Sequence, residues 1–436
     1  MLGMFLYDSS IIDHTKQVVY LEDGDVAHIK DGRMKFIFSD LYIHRYHQSQ
    51  NNRVLLEETQ TIKMELPQIM MGPFDSFIEK EIFEQPESVL NTMRGRVDFA
   101  KKTIKLNILE ENRHIAHCRR IVFVACGSSY NSCIAARQQL EKISDIPIMI
   151  EHGSDLLERD MPVFRDDCCV FVSRSGETED TIQALRYCRK FGAVLIAVTN
   201  TLDSTITKES DADINLNAKP EIGESTKTYT SQVLILILFA CMLGKEKLPK
   251  TRMIAEIVEG LNVLSDIVKD CLKLAPQVKK IAKKYMKVKS CLVIGGGPHT
   301  ATCLEASLKI KKLSLIHTEG LQSGDLKYSH LDLVNENVLV IIVITECRSF
   351  SKTINALHQV LGKKAKPVVI TDCKSKLGNV DALDVVEIPS IIECLQPIAA
   401  IVPLQLLSVY LAKCRGVPLP NDIVKFTRTP EIRDDR

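Results

Sequence analysis

Continuous apolar runs alternate with helical patterns from about residue 118 onward. In the first half of this stretch the runs are rich in β-branched residues and lie at positions 121–125, 146–150, 168–172 and 193–198. Runs that are apolar at every position, rather than at alternate ones, are typical of strands that are buried on both faces of a sheet. Their separation by helical segments predicts a parallel sheet with helices on both sides.

The same pattern returns further along the chain, with apolar runs at 291–294, 338–344 and 367–370. Thr181 and Thr353 open the similar segments T-I-Q-A-L and T-I-N-A-L, and each lies equally far before the threonine that ends the next run. This repetition predicts two doubly wound α/β domains. The predicted boundaries are 105–250 for the first domain, 251–280 for a Lys-rich helical connector, 281–436 for the second domain with its C-terminal tail, and 41–104 for a mixed region with at least one helix.

The bulk composition is that of an ordinary globular protein, since 45% of the 436 residues are hydrophobic, 25% are charged and the formal net charge is +1. This balance gives no electrostatic reason to expect nucleic acid or an anionic membrane as a partner. We expect no apolar stretch to be long and charge-free enough to cross a bilayer. The run at 233–243 has about half of the ~20 residues needed, so it is interpreted as a buried helix.

The cysteines are not arranged as a disulfide scaffold. Cys168, Cys169 and Cys291 lie inside apolar runs, where cysteine behaves as a small hydrophobic residue, and no C-x-x-C pair suggests zinc. The first residues lack the basic region of a secretory signal. Reduced thiols without such a signal predict a cytoplasmic protein.

The segment S-R-S-G-E-T at 173–178 directly follows an apolar run and precedes a helical pattern. Ser173, Ser175 and Thr178 can converge at the N-terminus of this helix, where unpaired N–H groups and the helix dipole favour a phosphate. Gly176 would let the backbone approach the ligand closely. The alternative is an ordinary Ser N-cap with a Thr in the first turn, and this segment alone does not decide between the two.

Two further hydroxyl-rich loops bear on that choice. Ser128 and Ser129 follow the first apolar run, and Ser225 lies in a polar segment before the apolar helix at 233–243. Because open parallel sheets bind ligands at the carboxyl ends of their strands, three such loops favour a sugar-phosphate pocket. The matching segment of the second domain, T-E-C-R-S-F at 345–350, lacks the glycine and most hydroxyls. The pocket is therefore expected in the first domain only.

Three consecutive glycines at 295–297 could suggest a dinucleotide site. However, the G-x-G-x-x-G spacing is absent and no acidic residue lies where a ribose would need it. A tight strand-to-helix turn explains these glycines better. We therefore expect no cofactor and no metal.

Several longer motifs resemble the isomerase half of glutamine–fructose-6-phosphate aminotransferases, which is built from tandem sugar isomerase (SIS) domains. The resemblance covers nearly the whole chain and rests on Q-T-I-K-M-E-L at 60–66, K-E-I-F-E-Q-P-E-S at 80–88, N-T-M-R-G-R at 91–96, A-C-G-S-S-Y at 125–130, P-V-F-R-D-D at 162–167, S-T-K at 225–227, Y-T-S-Q at 229–232 and I-V-P-L-Q-L at 401–406. It implies two SIS-type three-layer αβα sandwiches with parallel, flavodoxin-like sheets.

The resemblance also implies a function. Enzymes of this family convert fructose 6-phosphate and glutamine into glucosamine 6-phosphate and glutamate, in hexosamine and UDP-N-acetylglucosamine synthesis. This chain is expected to bind fructose 6-phosphate or glucosamine 6-phosphate and to form a homodimer. Residues 1–40 resemble only the end of the family's glutaminase domain, and Leu2 follows Met1 where that domain has its Cys nucleophile. Glutamine hydrolysis is therefore not expected unless a separate chain supplies the glutaminase domain.

The catalytic positions that the resemblance implies are partly changed. In the family's motif L-E-G-A-L-K-x-K-E, Glu305 and Lys309 are kept, but the final Glu, the family's general base, is Lys312. A protonated amine cannot accept a proton. In the family's motif G-E-L-K-H-G-P, the His that acts in ring opening is replaced by Tyr328. A phenol is a poor base at neutral pH. Lys425 matches the lysine with which family members form a Schiff base.

The implied substrate pocket also differs at two points. Arg174 replaces the Gln of the family's S-Q-S-G-E-T, and it can still bind phosphate with a different geometry. The loop before Ser225 is one residue shorter than in the family. Together these changes imply an impaired isomerase in which Lys312 is the larger obstacle. The alternative is a catalytically inactive sugar-phosphate-binding regulatory protein, or the product of a decayed gene.

Overall fold

A computed structural model of the chain describes residues 71–106, 115, 118–378 and 383–419, together with the backbone of five short strands before them. The chain divides into two compact units, residues 1–75 and 76–436. The five strands of the first unit form two antiparallel sheets. They are β1 (Gln17–Val18), β2 (Asp25–Ile29), β3 (Leu41–Arg45), β4 (Val54–Leu55) and β5 (Gln60–Thr61), with β1 paired to β5 and β2–β3–β4 in sequence.

The second unit begins with two helices, α1 (Phe77–Phe83) and α2 (Gln85–Met93), in the region where the sequence predicts at least one. The Ser76 hydroxyl accepts the N–H of Glu79 and so caps α1. A hairpin of β6 (Val97–Asp98) and β7 (Thr103–Ile104) follows. These elements pack beside the first of two large parallel sheets.

The first large sheet contains five parallel strands in the order β12-β11-β10-β8-β9. Its strands are β8 (Arg120–Ala125), β9 (Ile148–His152), β10 (Asp167–Ser173), β11 (Val194–Thr199) and β12 (Ala212–Asn215). Its helices are α3 (Gly127–Ser144), α4 (Gly153–Glu158), α5 (Glu179–Arg189), α6 (Thr205–Lys208) and α7 (Lys227–Leu243). Counted along the chain, the strand order is 2-1-3-4-5, which confirms the predicted flavodoxin-like arrangement.

Two helices, α8 (Thr251–Leu272) and α9 (Ala275–Tyr285), lead to the second large sheet. That sheet has the order β14-β13-β15-β16-β17, the same 2-1-3-4-5 topology with all strands parallel. Its strands are β13 (Ser290–Gly295), β14 (His317–Gln322), β15 (Leu339–Ile344), β16 (Val368–Thr371) and β17 (Asp384–Glu387). Its helices are α10 (His299–Ser314), α11 (Phe350–Gly362) and α12 (Gln396–Arg415). The sequence repeat is thus a repeat of architecture.

One hydrophobic cluster contains residues of both sheets, and each sheet has a further cluster of its own. Helix α3 of the first sheet packs against α7 and against α10 of the second sheet, and α10 packs in turn against α12. The residues of α7 are all buried, so the apolar run at 233–243 is a buried helix, as predicted. The α3–α10 contact matters most for function because it brings the end of the first sheet next to a helix of the second.

One expectation about membranes is wrong. By length and composition α12 could cross a bilayer, and among the described residues it is the one helix that passes this test. The sequence pattern hides its length because Pro403 and Gln405 interrupt the apolar positions. However, 89% of its most apolar window is buried inside the protein, where it packs on α10 as a core helix.

Candidate functional site

The candidate site lies at the carboxyl end of the first parallel sheet, where β8 and β10 are neighbours. The strand order reverses between these two strands, and open α/β sheets bind ligands at such a switch point. Helix α3 starts at Gly127 directly after β8, and the turn of residues 173–178 follows β10. The hydroxyls of Ser128 and Ser173 therefore belong to adjacent loops at one edge of the sheet.

The hydroxyls of the 173–178 turn make hydrogen bonds within the turn and do not cap its helix. Ser173 Oγ lies 3.0 Å from Thr178 Oγ1 and accepts the N–H of Gly176 at 3.1 Å. The N-cap of α5 is Thr178, and its side chain makes no capping bond. The alternative of a Ser N-cap with a Thr in the first turn is therefore wrong. Gly176 is required here because its φ is +67° and a Cβ would lie 2.0 Å from Ser204 Oγ.

A second loop, residues 221–226, lies beside this turn. Arg174 Nη1 donates to the carbonyl oxygen of Gly223 at 2.7 Å, so the arginine points at the loop. From the other side the Glu81 carboxylate accepts the N–H groups of Ile222 and Gly223. The loop ends with Ser225, whose buried hydroxyl has no hydrogen-bond partner among the described residues. Arg174 and Glu81 thus fix the backbone that carries Ser225.

A buried ion pair on α10 is hydrogen-bonded to α3, and these bonds connect the two parallel-sheet domains. Lys309 Nζ lies 3.2 Å from Glu305 Oε1 on α10, and both side chains are almost completely buried. From α3, Ser128 donates to Glu305 Oε1 and Asn131 donates to Glu305 Oε2, both at 2.9 Å. Lys309 also donates to Ser128 Oγ at 3.1 Å. We call these four residues the Glu305 cluster, and its hydrogen bonds are charge-assisted.

Unpaired polar atoms line the first turns of α7 next to this cluster. Thr228 Oγ1, Tyr229 OH and Gln232 Oε1 are buried without partners among the described residues, while Gln232 Nε2 donates to Ser129 Oγ at 2.9 Å. Burial, and secondly the nearby Glu305 charge, raise the pKa of Tyr229. Buried polar groups are normally satisfied. These atoms therefore leave hydrogen-bonding capacity unused among the described residues next to the Glu305 cluster.

The changed catalytic positions have different surroundings. Lys312 lies on the same face of α10 as Glu305 and Lys309, and its Nζ is 2.7 Å from Glu224 Oε1 in the 221–226 loop. Tyr328 is 75% exposed, so its ring is not part of the buried cluster. His330 Nε2 lies 3.2 Å from Glu319 Oε1, away from the Glu305 cluster. Lys425 lies outside the described residues.

The glycines at 295–297 form a tight turn, as interpreted from the sequence. A Cβ on Gly296 would lie 2.8 Å from the Cβ of Ser349, so the facing loop already fills the space above the turn. Within the described part of the chain, no group of three or more His, Cys, Asp or Glu residues could hold a metal ion.

Comparison with known proteins gives the same picture. A family model described as the SIS domain matches residues 114–242 and 284–413. The chain belongs to the SIS-domain family. Each match contains one of the two parallel sheets, so the tandem arrangement inferred from the repeat is confirmed.

The SIS domains are homologous to the isomerase portion of glutamine–fructose-6-phosphate aminotransferases. The chain is 43% identical over 421 residues to the isomerizing enzyme 1 of Rattus norvegicus and 41% identical over 427 residues to the enzyme of Saccharomyces cerevisiae. It spans 61% and 58% of the lengths of these two relatives. The C-terminal domain of the Francisella tularensis enzyme superposes with a TM-score of 0.75 at 30% identity, covering 80% of this chain and 98% of that one.

The structure thus brings together most of the residues singled out from the sequence. The first SIS domain supplies Ser128, Ser129, Ser173, Arg174, Ser175, Thr178 and Ser225, and the second supplies Glu305, Lys309 and Lys312. Sequence reasoning missed Asn131 and Gln232, which hold Glu305 and Ser129. Asn131 lies one helical turn after Ser128 on α3, which is the signal that could have revealed it.

We predict that Glu81→Gln removes a pH dependence of stability. Burial, and then the Glu221 charge, raise the pKa of Glu81 from 4.5 to about 8. Its contribution to folding is complete below pH 4.5 and is lost as the pH rises to about 8. Gln keeps an acceptor for the loop N–H groups but does not titrate. Urea unfolding should show that the free energy of unfolding of the variant, relative to that of the wild type, rises by at least about 1 kcal/mol between pH 5 and pH 8.

The matched control for this prediction is Glu158→Gln, at an exposed position in the first SIS domain. It should leave the pH profile of the unfolding free energy unchanged. Equal profiles for Glu81→Gln and the wild type would contradict the assignment of this pH dependence to Glu81.

Proposed function

We propose that the chain binds fructose 6-phosphate in its first SIS domain, with the phosphate on the 173–178 turn and the reacting end of the sugar against α10. The observation that carries the proposal is a continuous chain of contacts. Arg174 ties the turn to the 221–226 loop, and Glu224 ties that loop to α10. The relatives named above act on fructose 6-phosphate, and a sugar phosphate has its anionic and reactive ends at opposite positions.

We propose further that the chain acts as the isomerase half of such an aminotransferase, in hexosamine and UDP-N-acetylglucosamine synthesis, at a reduced rate. The retained Glu305 and Lys309 support an intact site, because their buried contacts hold Ser128 of α3 against α10. Lys312 and Tyr328 support the reduction in rate, because neither side chain is a good proton acceptor. Lys425 is proposed as the Schiff-base residue from the resemblance alone.

The test is calorimetry with fructose 6-phosphate and glucosamine 6-phosphate, followed by a product assay with ammonium. Saturable binding of both sugars, with slow formation of glucosamine 6-phosphate, is the expected result. No heat at millimolar sugar phosphate would contradict the proposal. Binding with no product in any assay would instead favour a second candidate, a sugar-phosphate-binding regulatory protein, which the ion-paired Lys312 at the family's general-base position also favours.

The assembly is proposed to be a homodimer. In the family that the chain resembles, the position of Tyr328 contributes to the neighbouring subunit's site. The 75% exposed ring of Tyr328 and the 55% exposed Leu333 leave apolar surface here that a second subunit would cover. Sedimentation should show a dimer at micromolar concentration, and a stable monomer would contradict the proposal.

A further inference from the structure

Glu305 lies on α10, and Glu224 contacts the same helix through Lys312. The two carboxylates differ in whether a substrate could reach them. Both oxygens of Glu305 are occupied, since Oε1 is bound by Ser128 and Lys309 and Oε2 by Asn131. Its side chain is 0% exposed. A carboxylate held in this way positions its neighbours but cannot turn to meet a substrate proton. Glu305 is therefore a positioning residue.

The carboxylate of Glu224, unlike that of Glu305, is partly exposed. Its side chain is 20% exposed, and the one ionic partner that the structure gives it, Lys312, is 57% exposed. The carboxylate is therefore partly accessible from outside and partly shielded from water. A partly shielded carboxylate within reach of a bound sugar is what proton abstraction from carbon requires.

The backbone that carries Glu224 is held on both sides. Gly223 is fixed by Arg174 and by Glu81, and Ser225 places a buried, unpartnered hydroxyl beside it. An unpartnered buried hydroxyl indicates a missing polar neighbour, which a sugar hydroxyl or phosphate oxygen would supply. Glu224 is thus carried by a segment that is anchored on both sides and has a free hydroxyl next to it among the described residues.

The ion pair with Lys312 aims the carboxylate. Glu305, Lys309 and Lys312 follow one another at spacings of four and three residues, so they form one stripe along α10. The 2.7 Å contact places Glu224 Oε1 at the third position of that stripe. The helix supplies a cation there and the loop supplies the carboxylate.

We infer that Glu224 is the general base of this chain, held by Lys312; the inference rests on the proposed function. In open-chain fructose 6-phosphate the carboxylate removes a proton from C1. The released electron pair forms the C1–C2 double bond, and the C2 carbonyl oxygen takes a proton from water. Return of the abstracted proton to C2, with loss of the proton on O1 to water, gives the aldose. No oxidant or reductant is needed.

The test is exchange of the C1 proton of fructose 6-phosphate in D2O, followed by NMR on the full chain. Glu224→Gln should slow the exchange about 10²- to 10⁴-fold, which is the typical contribution of a general base. The affinity for fructose 6-phosphate measured by calorimetry should change less than threefold, which also shows that the variant is folded. Glu246→Gln, at an exposed position of the same domain, is the matched control and should exchange at the wild-type rate.

A double variant tests whether a carboxylate at this point, rather than another property of Glu224, is what the exchange requires. Glu224→Gln combined with Lys312→Glu returns a carboxylate to the same point from the helix side, and it should recover at least tenfold over Glu224→Gln alone. The inference would be overturned if Glu224→Gln exchanged the C1 proton at the wild-type rate. It would also be overturned if the wild-type protein bound the sugar but did not exchange its C1 proton. Unaltered protein that does not bind the sugar would overturn the proposed function itself.

Discussion

Replacing Glu305 by alanine is expected to destabilise the protein by about 3–5 kcal/mol. The substitution leaves the ammonium of Lys309 buried, with its carboxylate partner gone, and also removes the acceptor for Asn131. An uncompensated buried charge is one of the few single changes with an effect of this size. The free energy of unfolding in urea is the quantity to measure.

A second variant shows whether the lost charge partner is the cause. Glu305→Gln combined with Lys309→Met removes both charges and keeps similar side-chain volumes, so it should be more stable than Glu305→Ala. Lys311→Ala, on the exposed side of the same helix, is the matched control and should change stability by less than about 0.5 kcal/mol. A double variant no more stable than Glu305→Ala would contradict the explanation.

Ser173→Ala is expected to weaken fructose 6-phosphate binding about 10- to 100-fold. A hydrogen bond to a charged group contributes about 1.5–3 kcal/mol, and the Ser173 hydroxyl also organises the turn by accepting the Gly176 N–H. Calorimetry with fructose 6-phosphate and with inorganic phosphate measures the effect. A similar loss for both ligands would place the phosphate, rather than the sugar ring, at Ser173.

The matched control for this variant is Ser349→Ala, in the corresponding turn of the second SIS domain. Ser349 Oγ contacts Cys347 Sγ at 3.0 Å, in a turn without the glycine of the first domain. Its replacement should change the affinity by less than twofold. Equal losses for Ser173→Ala and Ser349→Ala would contradict a single site in the first domain.

The central strands of both sheets could be predicted from the sequence because each contains a continuous apolar run. β8, β10 and β15 all coincide with predicted runs. The edge strands β12, β14 and β17 were missed. β14 has only two buried positions among six and contains polar residues, so it carries no continuous apolar run. An edge strand needs only one buried face, and this weakens its signal.

The site divides in the same way. The hydroxyl-rich loops could be predicted because they follow apolar strands, and the carboxyl ends of parallel strands share one edge. Contacts between distant segments could not. Nothing in the local sequence joins Glu224 to Lys312, or Arg174 to Gly223. From the sequence alone, Lys312 indicates that the family's general base is missing. In the fold, the carboxylate of Glu224 lies next to Lys312.

A crystal structure of the protein with bound fructose 6-phosphate tests the proposed site most directly. The phosphate oxygens should lie within hydrogen-bond distance of Ser173, Ser175 and Thr178, with C1 and C2 of the sugar next to Glu224. A phosphate bound in the second SIS domain, or a sugar whose C1 points away from α10, would contradict it.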